Sequence, residues 1–218
     1  MEVSSLRGEN QTVTANPDGT FTATVHLEPV RVQRPNGTWA AMDTTLRAQP
    51  DGSIRPVAIT VDMTFSGGGN ARLAQIADSG KSLRMDWTAT LPTPSLDGDT
   101  ATYAEVYPGV DLQVRATADG FSELLVVKTP EVASNPALAS VRFPVTTSGA
   151  GGPTHFAVMP TAVEPAAVRV MPDQDMLTAP DTKYPVYIDP SWTRKTRHGS
   201  RSTAATRARP TSTRYRPT

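Results

Sequence analysis

Three near-identical turns punctuate the start of this chain: Asn16-Pro17-Asp18-Gly19-Thr20, Arg34-Pro35-Asn36-Gly37-Thr38 and Gln49-Pro50-Asp51-Gly52-Ser53. In each, proline presets φ for the first corner, Asp or Asn tolerates the second, and glycine takes the positive φ that closes the turn. The residue after each glycine opens a run that alternates or is β-branched, as in Phe21-Thr22-Ala23-Thr24-Val25-His26-Leu27. Turns of this kind, set between such runs, encode hairpins. Asp97-Gly98 and Asp119-Gly120 repeat the signal. Gly19, Gly37, Gly52, Gly98 and Gly120 are therefore read as structural turn glycines, with Gly120 expected at positive φ.

The chain has 218 residues, among them 20 prolines and 15 glycines. That composition suits short strands and tight turns rather than long helices. The expected fold is all-β: an antiparallel β-sandwich or two packed sheets, with at most one or two short helical turns. The clearest strand is Val110 to Thr117, where Val110, Leu112, Val114 and Ala116 share one face and Asp111, Gln113 and Arg115 the other. Phe121 to Lys128 follows it as a hairpin partner. A long pair is expected at 53–65 and 71–77, whereas Leu91 to Ser95, with prolines at 92 and 94, reads as an exposed connection. One helical turn is expected after Asn135, which can cap a Pro136 start.

Three segments result: a polar lead at 1–11, a β-sandwich-like module at 12–192 that could comprise two sub-sheets, and a tail at 193–218. The net charge of zero conceals an imbalance. The tail holds eight basic residues and no acid, so with 21 of each charge in the chain the body carries 21 − 13 = 8 excess acids. A tail of Arg, Thr, Ser, Ala and Pro lacks the apolar residues to offset ordering entropy and is expected to be disordered. Its composition changes abruptly after Trp192, which reads as a shifted frame or truncated boundary ahead of a selected binding arm. Nucleic acid would be bound only through this tail. No segment approaches the ~20 apolar residues that span a bilayer. The start lacks a basic and an apolar stretch, so no signal peptide is read in it.

Motifs that carry chemistry are weak. Gly80-Lys81-Ser82 lacks the glycine that a phosphate loop needs five residues earlier, where Gln75 stands. Asp78-Ser79-Gly80 has no second copy to share a proton with, as aspartic-protease chemistry requires. His26, His155 and His198 are too scattered for zinc or for a nucleophile–base pair. There is no cysteine. Asp97-Gly98-Asp99 and Asp173-Gln174-Asp175 admit surface calcium but match no calcium loop, so plain turns are preferred and no cofactor is expected. Trp39, Trp87, Tyr103, Tyr107 and Trp192 could stack against a sugar; with only 6% of the chain aromatic, a core role is the leading reading. Buried rings would favour that role, and a planar exposed row would favour carbohydrate.

The order of several motifs resembles a family. They are Asn16-Pro17-Asp18-Gly19-Thr20, Pro29-Val30-Arg31, Gly37-Thr38-Trp39, Phe65-Ser66-Gly67-Gly68-Gly69, Pro108-Gly109-Val110-Asp111-Leu112, Asn135-Pro136-Ala137-Leu138 and the run from Tyr184 to Trp192. Over about residues 11–192 the chain is similar to the amino-terminal module of large actinobacterial secreted proteins, where it precedes LamG-like, DNRLRE-type or RHS-repeat regions. The resemblance implies an extracellular or cell-surface location and downstream domains of the same gene product as partners, and it carries over no catalytic residues. It also implies that the chain is a fragment of a longer product.

Overall fold

The computed structural model describes residues 1–34, 36–149 and 166–189 in full, together with the backbone of three short strands at 156–158, 162–164 and 192–194. Strand makes up 49% of the fully described residues and helix 9%. The all-β expectation holds, with helix confined to turns of five residues or fewer.

Two hairpins come first: β1 (Gln11–Ala15) with β2 (Phe21–Val25), and β3 (Arg31–Gln33) with β4 (Trp39–Ala41). The large meander follows as β5 (Asp43–Ala48), β6 (Ile54–Ala58), β7 (Asp62–Phe65), β8 (Arg72–Asp78) and β9 (Lys81–Asp86). A second meander contains β10 (Ser95–Asp97), β11 (Thr100–Tyr107), β12 (Val110–Ala116) and β13 (Phe121–Val127). The remaining strands are β14 (Val141–Ser148), β15 (Phe156–Val158), β16 (Ala162–Glu164), β17 (Ala167–Val170), β18 (Val186–Ile188) and β19 (Trp192–Arg194). Short helices α1 (Pro130–Ala133) and α2 (Gln174–Thr178) and a 3-10 turn at Pro136–Ala139 fill the connections.

Among the described residues, β16-β17-β14-β9-β8-β7-β6-β5 form one sheet and β10-β11-β12-β13-β18 another. Their inner faces share one apolar core. Met63, Phe65, Leu73, Ile76, Leu83 and Met85 come from the large sheet, and Ala101, Tyr103, Leu112, Val114, Phe121 and Leu125 from the small one. Phe65 meets Phe121 edge to face at 5.8 Å between ring centres, a favoured aromatic geometry. β12 buries Val110, Leu112, Val114 and Ala116 as its alternation requires. At one corner the sheets are stitched together, where the Leu46 N–H donates to the Gly98 carbonyl at 2.8 Å.

The three repeated turns are built alike. Gly19, Gly37 and Gly52 take φ of +83°, +80° and +79°. The carboxylate or amide oxygen before each accepts from the backbone N–H and the hydroxyl of the residue after it: Asp18 from Thr20, Asn36 from Thr38, Asp51 from Ser53. This is the three-residue hairpin loop closed by a left-handed glycine.

Several local expectations change. Gly120 has no positive φ. With Ala116 opposite Phe121 and Thr117 N–H donating to Gly120 O, the corner residues are Ala118 and Asp119. Thr60 fastens that corner, donating to Ala118 O from both its N–H and its hydroxyl. Leu91 is buried in the core, not in an exposed connection, because its backbone pairs with Gly69 and Asn70. The expected strand at 53–65 is two strands, β6 and β7. β10 and β11 occupy a stretch where no strand was read. The turn after Asn135 forms as expected, its amide oxygen accepting from Ala137 N–H at 3.0 Å. A further helix, α2, starts on Asp173, whose carboxylate accepts from Met176 N–H.

The first 41 residues lie outside the common core. Val13, buried among them, is not part of that core. The polar lead is tied to the first hairpins: Glu2 accepts from Arg7 and Arg31, and Val3 N–H donates to Val13 O. At the other end, paired backbone reaches Arg194, where β19 meets β15. The rest of the expected disordered tail lies outside the described residues.

Candidate functional site

The aromatic set does not converge into a stacking platform. Trp87 and Tyr103 are buried in the core, so neither can offer a face to a ligand. Trp87 packs between Tyr107 and Phe143, each at 5.4 Å between ring centres, and Tyr107 is half-buried beside it. The Tyr103 hydroxyl donates to the Ser66 carbonyl at 2.7 Å, and burial pushes its phenol above the usual tyrosine range. Trp39 stands apart on the β3–β4 hairpin, half-buried. The Trp192 side chain lies outside the described residues.

Ser66 opens a glycine loop that works as a crossing point. A methyl group on Gly67 would lie 1.9 Å from the Gly52 carbonyl, and one on Gly68 2.7 Å from the Thr93 backbone. Three chain segments therefore meet at distances only glycine permits. Ser66 Oγ accepts from Gly68 N–H, and Asn70 Oδ1 from Arg72 N–H, holding the loop's shape.

Two of the four carboxylates considered for calcium, Asp99 and Asp173, have other work. Asp99 accepts from Arg115 and from Thr100, and Asp173 caps α2. Asp78-Ser79-Gly80 with Lys81 is a tight hairpin in which Ser79 and Gly80 both have positive φ, at +50° and +77°. Neither phosphate-loop nor protease geometry surrounds it. His26 follows the end of β2, half-buried, and His155 and His198 lie outside the described residues. Among the described residues no three His, Cys, Asp or Glu side chains group as metal ligands.

One charged cluster is well built. β11 bulges between Tyr103 and Tyr107, and there Glu105 takes φ of +55°, rare for a residue with a Cβ. Its N–H donates to Asp111 Oδ1 at 2.9 Å, and its own Oε2 accepts from Gly109 N–H at 2.6 Å. Lys128 Nζ bridges Glu105 and Asp111. Hydrogen bonds from Lys128 and Gly109 hold the Glu105 carboxyl below its usual range, and those to Asp111 and Glu105 raise the Lys128 ammonium. Glu105 and Lys128 therefore stay ionised at neutral pH, and the cluster fixes the bulge.

Sequence reasoning passed over Glu123, which is fully buried on the core face of β13 opposite Val114. The signal was present: the i, i+2 parity of β13 places Glu123 in line with Phe121, Leu125 and Val127. No family model, curated protein or solved structure matches this chain.

Proposed function

We propose that this chain is a non-enzymatic structural module of an exported surface or adhesion-type protein, of the actinobacterial kind that its motif order resembles. Its work is to present or shield domains that follow it in a larger gene product. One observation carries the reading: the aromatic and polar groups most able to serve a ligand are spent inside the sandwich. Trp87 is enclosed by two rings, and Tyr103 ties one sheet to a loop of the other. Such use makes a stiff spacer, since buried hydrogen bonds and packed rings fix one arrangement of two sheets.

A glycan array tests this against the carbohydrate reading. The full chain should give no binding above background. Binding that is lost in Trp39→Ala while the unfolding midpoint is unchanged would replace the structural role with sugar recognition, because Trp39 sits outside the common core.

A further inference from the structure

Among the described residues, β2 is an edge strand without the usual protection. Phe21 to Val25 are all exposed, Phe21 at 65% and Val25 at 68%, with Leu27 fully exposed beyond them. Its only partner among the described residues is β1. Edges of soluble sheets are normally blunted by lysine, proline, a bulge or a covering segment. Phe21-Thr22-Ala23-Thr24-Val25 has no charge and no proline, and its pairing with β1 is regular from end to end.

Backbone parity decides which groups the edge offers. Asn16 N–H donates to Thr20 O and His26 N–H to Asn10 O, so residues 20 and 26 face β1. Alternation then turns Thr22 and Thr24 towards β1 as well. The N–H and C=O groups of Phe21, Ala23 and Val25 point away from the hairpin.

We propose that this edge pairs with the same edge of a second copy, antiparallel about a two-fold axis at Ala23. The sequence is nearly palindromic about that residue. The register sets Ala23 against Ala23, Phe21 against Val25 and Thr22 against Thr24, and it uses all three outward-facing residues of each strand. Aromatic–β-branched and Thr–Thr neighbours are favourable cross-strand pairs, and no like charges meet within the strand. The nearest acids, Asp18 and Glu28, lie beyond it in the preceding turn and the following bend. The interface is isologous and closes on itself. It also converts a two-stranded ribbon, marginal by itself, into a four-stranded sheet. A contact this short falls below the roughly 1,200 Å² of stable complexes, so the dimer is weak and reversible.

Sedimentation of the full chain between about 10 μM and about 1 mM should show mass rising from monomer to dimer. Ala23→Pro removes the outward N–H at the axis but leaves the β1 ladder intact, and Ala23→Lys opposes two ammonium groups there. Each should weaken the dimer at least about tenfold. Because the chain contains no cysteine, Ala23→Cys supplies an independent test. Paired residues at such a site have Cα atoms about 5.5 Å apart, within disulfide span. Mild oxidation should give a covalent dimer with Ala23→Cys and not with Val57→Cys, an exposed control on β6. Constant monomer mass overturns the proposal. So does a dimer that both edge variants leave at full strength, or equal cross-linking of the two cysteine variants.

Discussion

The Tyr103 hydroxyl reaches across the sandwich to the Ser66 carbonyl, 2.7 Å away and buried. It joins β11 of the small sheet to the loop that leaves β7 of the large one. Tyr103→Phe keeps the ring and strands the carbonyl, which should cost about 1–3 kcal/mol. A lower denaturation midpoint at unchanged m-value checks this. The phenol's raised pKa adds a pH signature. Its stabilising share is complete below the unfolded tyrosine value of about 10 and is lost as pH climbs from there through the folded value. Tyr103→Phe should therefore flatten the alkaline fall in stability relative to the parent.

Two glycines should respond very differently to the same methyl group. At Gly98 a Cβ would meet open space and only the φ of +55° opposes it, a cost of about 1 kcal/mol. At Gly67 the methyl would collide with the Gly52 carbonyl, and Gly67→Ala should cost about 3 kcal/mol or more. Urea titration of the two variants separates conformational from steric demand. Equal losses would contradict the packed crossing.

The repeated turns contain their own control. Asp51 is held below its usual carboxyl range, first by the Ser53 hydroxyl and then by its N–H. A depressed folded pKa means stability that is present above about pH 4, the unfolded value, and lost as pH falls through the folded one. Asn36 fills the same place with an amide that does not titrate. Asp51→Asn should keep the turn yet lose that acid sensitivity, whereas Asp51→Ala should be weaker at neutral pH. Thermal melts from pH 2.5 to 7 read both effects.

At the bulge, Asp111 accepts the N–H of a Glu105 held in a left-handed conformation. Asp111→Ala should therefore destabilise more than Lys128→Met, which removes two partly exposed ion pairs but leaves that backbone bond. Titration of Glu105 by carboxyl NMR should show its pKa returning upward in Lys128→Met. If Lys128→Met proves the more damaging variant, the ion pair rather than the backbone bond shapes the bulge.

What could be read beforehand depended on period. β12 kept strict alternation from Val110 to Ala116, and its buried face followed. β11 did not: Ala101 and Tyr103 start an inward row that the bulge at Glu105 shifts, so no single parity spans Thr100 to Tyr107. Leu91 was hidden by its polar, proline-rich neighbours, since its burial depends on a loop some 20 residues earlier in the chain. Asp119-Gly120 carried a genuine hairpin signal, but Thr60, in the connection between β6 and β7, fastens the corner one residue earlier. The fate of the aromatic rings was equally non-local. Tyr103 and Trp39 look alike in sequence and differ only in which hairpin folds onto the core.

The strand order also constrains how the chain can mature during synthesis. β9 ends at Asp86 but receives its outer neighbour only from β14, at Val145–Ser148, and β13 waits for β18 at Val186–Ile188. Each of these two flanks thus stays open until the whole intervening segment has been made. A ribosome paused between Asp86 and Val145 would display a nascent meander with one raw flank. Delays there should raise the yield of insoluble product more than delays after Ile188.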